Sequence, residues 1–139
     1  MPRLTRFFVK TALVCFVAAL LVGLALALPS TWGLPAILGL LGPAYFHLFM
    51  VGWVTQLIFG VAYWMFPTYS REQPRGHEGV AWTVYWLLNV GLILRVVGEP
   101  LTAVQPESGW RWLLPISALA QWLAGAAFVL NTWPRVRER

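Results

Sequence analysis

Four separate runs of about twenty apolar residues fill most of this 139-residue chain, and a soluble domain of that size has no interior to hold them. In helical form, at about 1.5 Å of rise per residue, each run matches the hydrocarbon thickness of a bilayer. The runs cover residues 7–28, 44–66, 79–97 and 112–133. Charged residues make up 11% of the chain, against roughly 25% in soluble domains, which is too little to clothe a water-exposed surface. The expected fold is all-α, an integral membrane four-helix bundle in one domain. A transmembrane barrel is excluded, because the runs lack the alternation that lipid-facing strands need.

Proline and glycine punctuate the runs. The first carries Lys10 near its start, close enough to the end for the ammonium to reach the headgroups. Its basic beginning and the Ala25-x-Ala27 pair imitate a secretory signal, but its apolar stretch exceeds the usual 7–15 or so residues, so it reads as a retained span. Residues 29–35 are turn-rich. Ala36 to Gly42 is apolar but too short to span, and reads as a re-entrant or surface-lying lead-in ended by Gly42-Pro43. The third run is expected to stop at Gly98-Glu99-Pro100, leaving 101–111 as a loop. Pro67 and Pro134 close the second and fourth.

Lys and Arg counts near the run ends set the orientation. Arg3, Arg6, Lys10, Arg71, Arg75, Arg135, Arg137 and Arg139 fall on one side and Arg111 alone on the other, which predicts both termini in the cytoplasm. The net charge of +5 is thus a topology signal and not a nucleic-acid footprint. Trp32, Trp64, Trp110, Trp112 and Trp133 sit at the run ends as interfacial aromatics do. The expected location is a bacterial-type inner (cell) membrane, crossed several times. The lone Cys15 cannot pair within the chain and reads as a small apolar residue.

Polar groups inside such runs need partners or a task. Gln56, Asn89 and Gln121 fall near the middle of runs two, three and four, and predict an interhelical hydrogen-bond cluster. Gly52 and Gly60 flank Gln56 at i−4 and i+4, making a small-polar-small stripe on which another helix can pack closely. His47, nine residues before Gln56, falls about 180° round an ideal helix. It is expected to face away from that seam, toward a cofactor, a neighbouring subunit or a local backbone carbonyl. Arg95 is expected at the same depth. An imidazole suits heme iron, and a guanidinium at that level suits heme propionates. The plainer arrangement has Arg95 snorkelling outward or paired with Glu99, and His47 bonded to a backbone carbonyl.

The stretch from His47 to Pro67, HLFMVGWVTQLIFGVAYWMFP, resembles a membrane segment of the heme-copper oxidase catalytic-subunit superfamily, including nitric-oxide reductase-like and small heme-associated proteins. The shared pattern is His47, Gly52, Gly60, Tyr63 and Pro67. The third run through Arg95 to Pro100, and Asn131 to Arg135, look like small four-span relatives of that group. The resemblance implies that His47 is an axial ligand of a b-type heme. It implies no oxygen chemistry, because the only other histidine, His77, lies in a loop and no copper-binding set exists. A second axial ligand would come from a second copy or a partner subunit.

No nucleophile-base-acid set or phosphate loop is present, so the chain is not read as catalytic on its own. Two functions remain. One is a heme-bearing electron-transfer or sensing subunit, and the other a cofactor-free structural or assembly subunit of a respiratory membrane complex. A channel or transporter is disfavoured by the expected lack of any acidic residue within a span. The expected partners are lipid and other membrane subunits or a second copy.

Overall fold

The structure is a computed structural model that describes residues 1–28, 32–33, 35–68, 70 and 75–136. Arg71, Arg137 and Arg139 of the orientation argument, and most of the 29–35 turn, lie outside the described residues. Every regular element among the described residues is helical apart from a single bridge position at Gly76. Helix α1 covers Arg3–Ala27. A second rod is built from a 3₁₀ segment Ala36–Leu41, α2 Gly42–His47, a π segment Leu48–Thr55 and α3 Gln56–Met65. Helix α4 is Glu78–Val104, and α5 is Leu113–Thr132 between 3₁₀ turns Gly109–Trp112 and Trp133–Arg135. All four rods are long and apolar enough to cross a membrane.

Two expectations about element ends are corrected. Ala36–Leu41 is not a separate lead-in but the first turns of the second rod, because Pro43 sits in the opening turn of α2, where its missing N–H costs no hydrogen bond. The third helix does not stop at Gly98-Glu99-Pro100. It runs on to Val104 with Pro100 buried inside it. There the ring costs the Val96 carbonyl its partner, while Gly98 lets α5 approach closely, its missing Cβ lying 3.0 Å from Leu113 Cβ.

The antiparallel rods pack chiefly as two pairs, α1 against the second rod and α4 against α5. Before Tyr63, the buried residues along the second rod are Ala44, Leu48, Gly52, Gln56 and Gly60, each four from the last. In a pure α-helix that spacing drifts about 40° per step and would wind off one face within a few turns. The wider i→i+5 turns of the π segment slow the drift, with the Gln56 N–H reaching back to Val51 O and the Thr55 hydroxyl to Met50 O at 2.8 Å. The opposing helix shows the same accommodation. On α1 Phe8 meets Gly60 and Cys15 meets Gly52, so seven residues on one helix face eight on the other. The extra residue is taken up in the π segment.

Aromatic side chains close the core where the α1 start meets the α3 end. Phe8 and Tyr85 meet edge to face at 5.1 Å, the Tyr85 hydroxyl bonds Thr11 Oγ1 at 2.8 Å, and Phe59 stacks on Phe128 at 3.8 Å. The start of α1 and the end of α5 both lie at this end. Large apolar side chains such as Leu21, Leu24, Ile93, Trp122 and Leu130 point outward.

Candidate functional site

Three ionisable groups from two of the rods meet at the opposite end. His47 closes α2, and Arg95 and Glu99 stand one turn apart on α4, so the α2–α4 contact brings the three together. His47 Nδ1 lies 2.9 Å from Pro43 O and 3.2 Å from Glu99 Oε1. Both neighbours are acceptors, so the ring proton resides on Nδ1 and the neutral ring presents the Nε2 lone pair. Arg95 Nε approaches the same carboxylate oxygen at 3.7 Å. The side chains are largely sheltered, with 20% of His47, 22% of Arg95 and 11% of Glu99 left exposed. Even so, Arg95 Nε, Glu99 Oε2 and Thr102 Oγ1 are buried without a hydrogen bond.

His47 faces away from the α1 seam, and because α4 occupies that side, the imidazole meets Glu99 there. The expectation of no acidic residue within a span fails, since α4 continues past Glu99. Arg95 reaches the same carboxylate as His47 and so lies at the matching level. The plainer pairings, His47 with a backbone carbonyl and Arg95 with Glu99, are both present.

The three central amides do not form a hydrogen-bonded cluster. Asn89 Nδ2 turns back to Tyr85 O, its own helix, at 2.8 Å. Gln121 Nε2 reaches Ser117 Oγ at 3.2 Å, and that hydroxyl donates to Gly91 O on α4 at 2.6 Å. Gln56 is wholly buried with neither amide atom bonded. The small-residue stripe has crowded that face. A Cβ on Gly52 would sit 2.8 Å from Cys15 Cβ, and one on Gly60 2.6 Å from Phe8 Cβ, while the Thr11 hydroxyl of α1 is bonded to Tyr85.

One residue of consequence was missed. Arg135 reads in sequence as part of a basic tail, yet it is 2% exposed and caps α3. Its Nε donates to Pro67 O at 3.0 Å, and Nη2 donates to Tyr63 O at 3.1 Å and Phe66 O at 2.7 Å. Orphan carbonyls at a helix C-terminus attract such a cation.

The donor set limits what the His47 site can hold. No group of three or more His, Cys, Asp or Glu comes together among the described residues, so a bare metal ion has no cage. A single open imidazole nitrogen suits a metal whose other ligands come from a macrocycle. The chain matches no family model, no curated protein and no solved structure.

Proposed function

We propose that this chain is a four-pass membrane protein with both termini on the cytoplasmic side, and that His47 gives it an axial ligand for a b-type heme. Four apolar rods, outward-facing leucines and the eight-to-one split of cations support the membrane reading. The observation that carries the heme reading is the anchoring of His47 Nδ1 by Pro43 O and Glu99, with Nε2 left open. Metal-ligating histidines are held in this way, the second-shell acceptor fixing the tautomer and raising the basicity of the free nitrogen. Heme so held supplies one-electron chemistry. Arg95 pairs with Glu99 only loosely, its Nε 3.7 Å from the carboxylate and without a hydrogen bond, which leaves guanidinium N–H groups for a propionate. A second axial ligand comes from another subunit or a second copy, and electron transfer or sensing is the role that follows. The likeness of the His47–Pro67 stretch to an oxidase catalytic-subunit helix favours the same reading.

The second reading is a cofactor-free structural or assembly subunit of a membrane complex. It is favoured by the partners that His47, Arg95 and Glu99 already find in one another, which make the triad a clamp between α2 and α4. A visible spectrum separates the two. Protein expressed with heme available, and with its native membrane neighbours, is expected to show a Soret band and reducible b-type bands. His47→Ala removes those bands, and Arg95→Leu weakens heme retention on dilution. A folded, colourless wild-type protein overturns the heme reading and leaves the clamp.

A further inference from the structure

The basic end of the molecule holds a second polar centre, independent of His47. Arg135 Nη1 is buried without a hydrogen-bond partner, its other guanidinium bonds being taken by the three α3-end carbonyls. Arg75 Nε is likewise buried and unpartnered. The backbone brings these arginines together. Gly76, next to Arg75, has a positive φ of 74° and packs so tightly on α5 that a Cβ there would lie 2.7 Å from Asn131 Oδ1. Asn131 is one turn before Arg135. Tyr63, whose ring centroid is 5.8 Å from the Arg135 guanidinium carbon, feels the charges of Arg75, Arg135 and Glu78.

Helix α4 begins at the same place. The His77 N–H donates to Asn131 Oδ1 at 3.0 Å, and the first backbone bond into the helix is Ala81 N–H to His77 O. The amides of Glu78, Gly79 and Val80 precede that bond, and no side chain caps them. Glu78 is exposed and, although its charge is felt at Tyr63, it makes no ion pair with either arginine among the described residues. Two adjacent cations with shielded, unused N–H groups, beside an uncapped helix start, have no counter-charge in direct contact among the described residues.

We propose that Arg75, Arg135 and the start of α4 bind a phosphate-type oxyanion. The ligand is either a phospholipid headgroup or a soluble phosphate. Both present charged oxygens that can accept from the unused Arg135 Nη1 and Arg75 Nε N–H groups, and the site lies at the end that the basic residues mark.

The test uses the whole protein in a neutral detergent and phosphate-free buffer, with thermal unfolding as the readout. Titrated inorganic phosphate is expected to raise the midpoint saturably, beyond chloride at equal ionic strength. If phosphate is inert but mixed micelles with phosphatidylglycerol stabilise and those with phosphatidylcholine do not, the oxyanion is the lipid headgroup. Arg75→Gln, which leaves the α3 cap intact, is expected to weaken the apparent affinity at least tenfold, and Arg111→Gln at the other end to leave it unchanged. The proposal is overturned if neither phosphate nor phosphatidylglycerol stabilises, or if Arg75→Gln responds as wild type does. It is also overturned if Glu72→Gln destabilises as much as Arg75→Gln with phosphate inert, since the counter-charge would then belong to the chain itself.

Discussion

Gly60→Ala is the sharpest test of the α1 seam. An added Cβ lands 2.6 Å from Phe8 Cβ, about 0.8 Å short of the 3.4 Å at which ordinary contact begins. Phe8 Cβ is fixed to the backbone of α1 and cannot rotate away, so the helices must part. Overpacking of this kind costs about 1–3 kcal/mol. Against that, alanine in a helix interior gains about 0.5–1 kcal/mol over glycine. The expected net is a loss reaching about 2 kcal/mol when the steric term dominates. Gly125 supplies the control, because its missing Cβ meets nothing within 4 Å in the interior of α5. Gly125→Ala should show only the propensity gain, so the two variants should differ by the steric term alone. Thermal unfolding in detergent, followed by far-ultraviolet circular dichroism, measures both. If Gly60→Ala proves as stable as Gly125→Ala, the close approach of α1 and α3 is wrong, and the small-polar-small stripe loses its role.

Three further perturbations probe the polar groups. Gln56→Leu should raise stability by about 1–3 kcal/mol, because it removes two buried amide atoms that have no partner, and denaturant titration would refute this by showing a loss. Ser117→Ala should cost about 1 kcal/mol, the hydroxyl bond to Gly91 O being a direct side-chain tie across the middle of the α4–α5 seam. Unchanged stability would show that the helices hold without it. In the heme-bearing protein, Glu99→Gln should raise the reduction potential, since an anionic acceptor on Nδ1 stabilises the ferric state and the neutral amide does so less. An unchanged potential in redox titration would detach Glu99 from the ligand.

The existence of four helices was legible because an unbroken apolar run needs no partner to be recognised. Their ends were less so. Pro100 carries the usual stop signal, but burial against α5 outweighs one lost bond and carries α4 to Val104. Pro43 stands where proline is tolerated, and the turns before it simply join the rod. Within the candidate site, depth and the turn away from α1 could be read, and what His47 meets there could not. Residue count placed His47 and Arg95 level with one another, because rise per residue barely depends on surroundings. The partner of His47 depends on what lies opposite α1, and that is fixed by α4 packing at this end. Arg135 escaped because a cation after a helix has the same appearance in sequence whether it meets water or the carbonyls of another helix.

The π segment explains why both faces of the second rod are usable. Close packing on α1 demands small residues at a fixed spacing, and that spacing would spiral off the seam in a regular α-helix. Widening the turns between His47 and Gln56 keeps Gly52, Gln56 and Gly60 together against α1. Helix α2 then enters as ordinary α-helix, and its last residue, His47, stands against Glu99 of α4. Two neighbours on different sides thus share one rod without competing for the same face. The arrangement leaves the ionisable triad clear of the tight α1 seam, where neither a cofactor nor a partner subunit would find room.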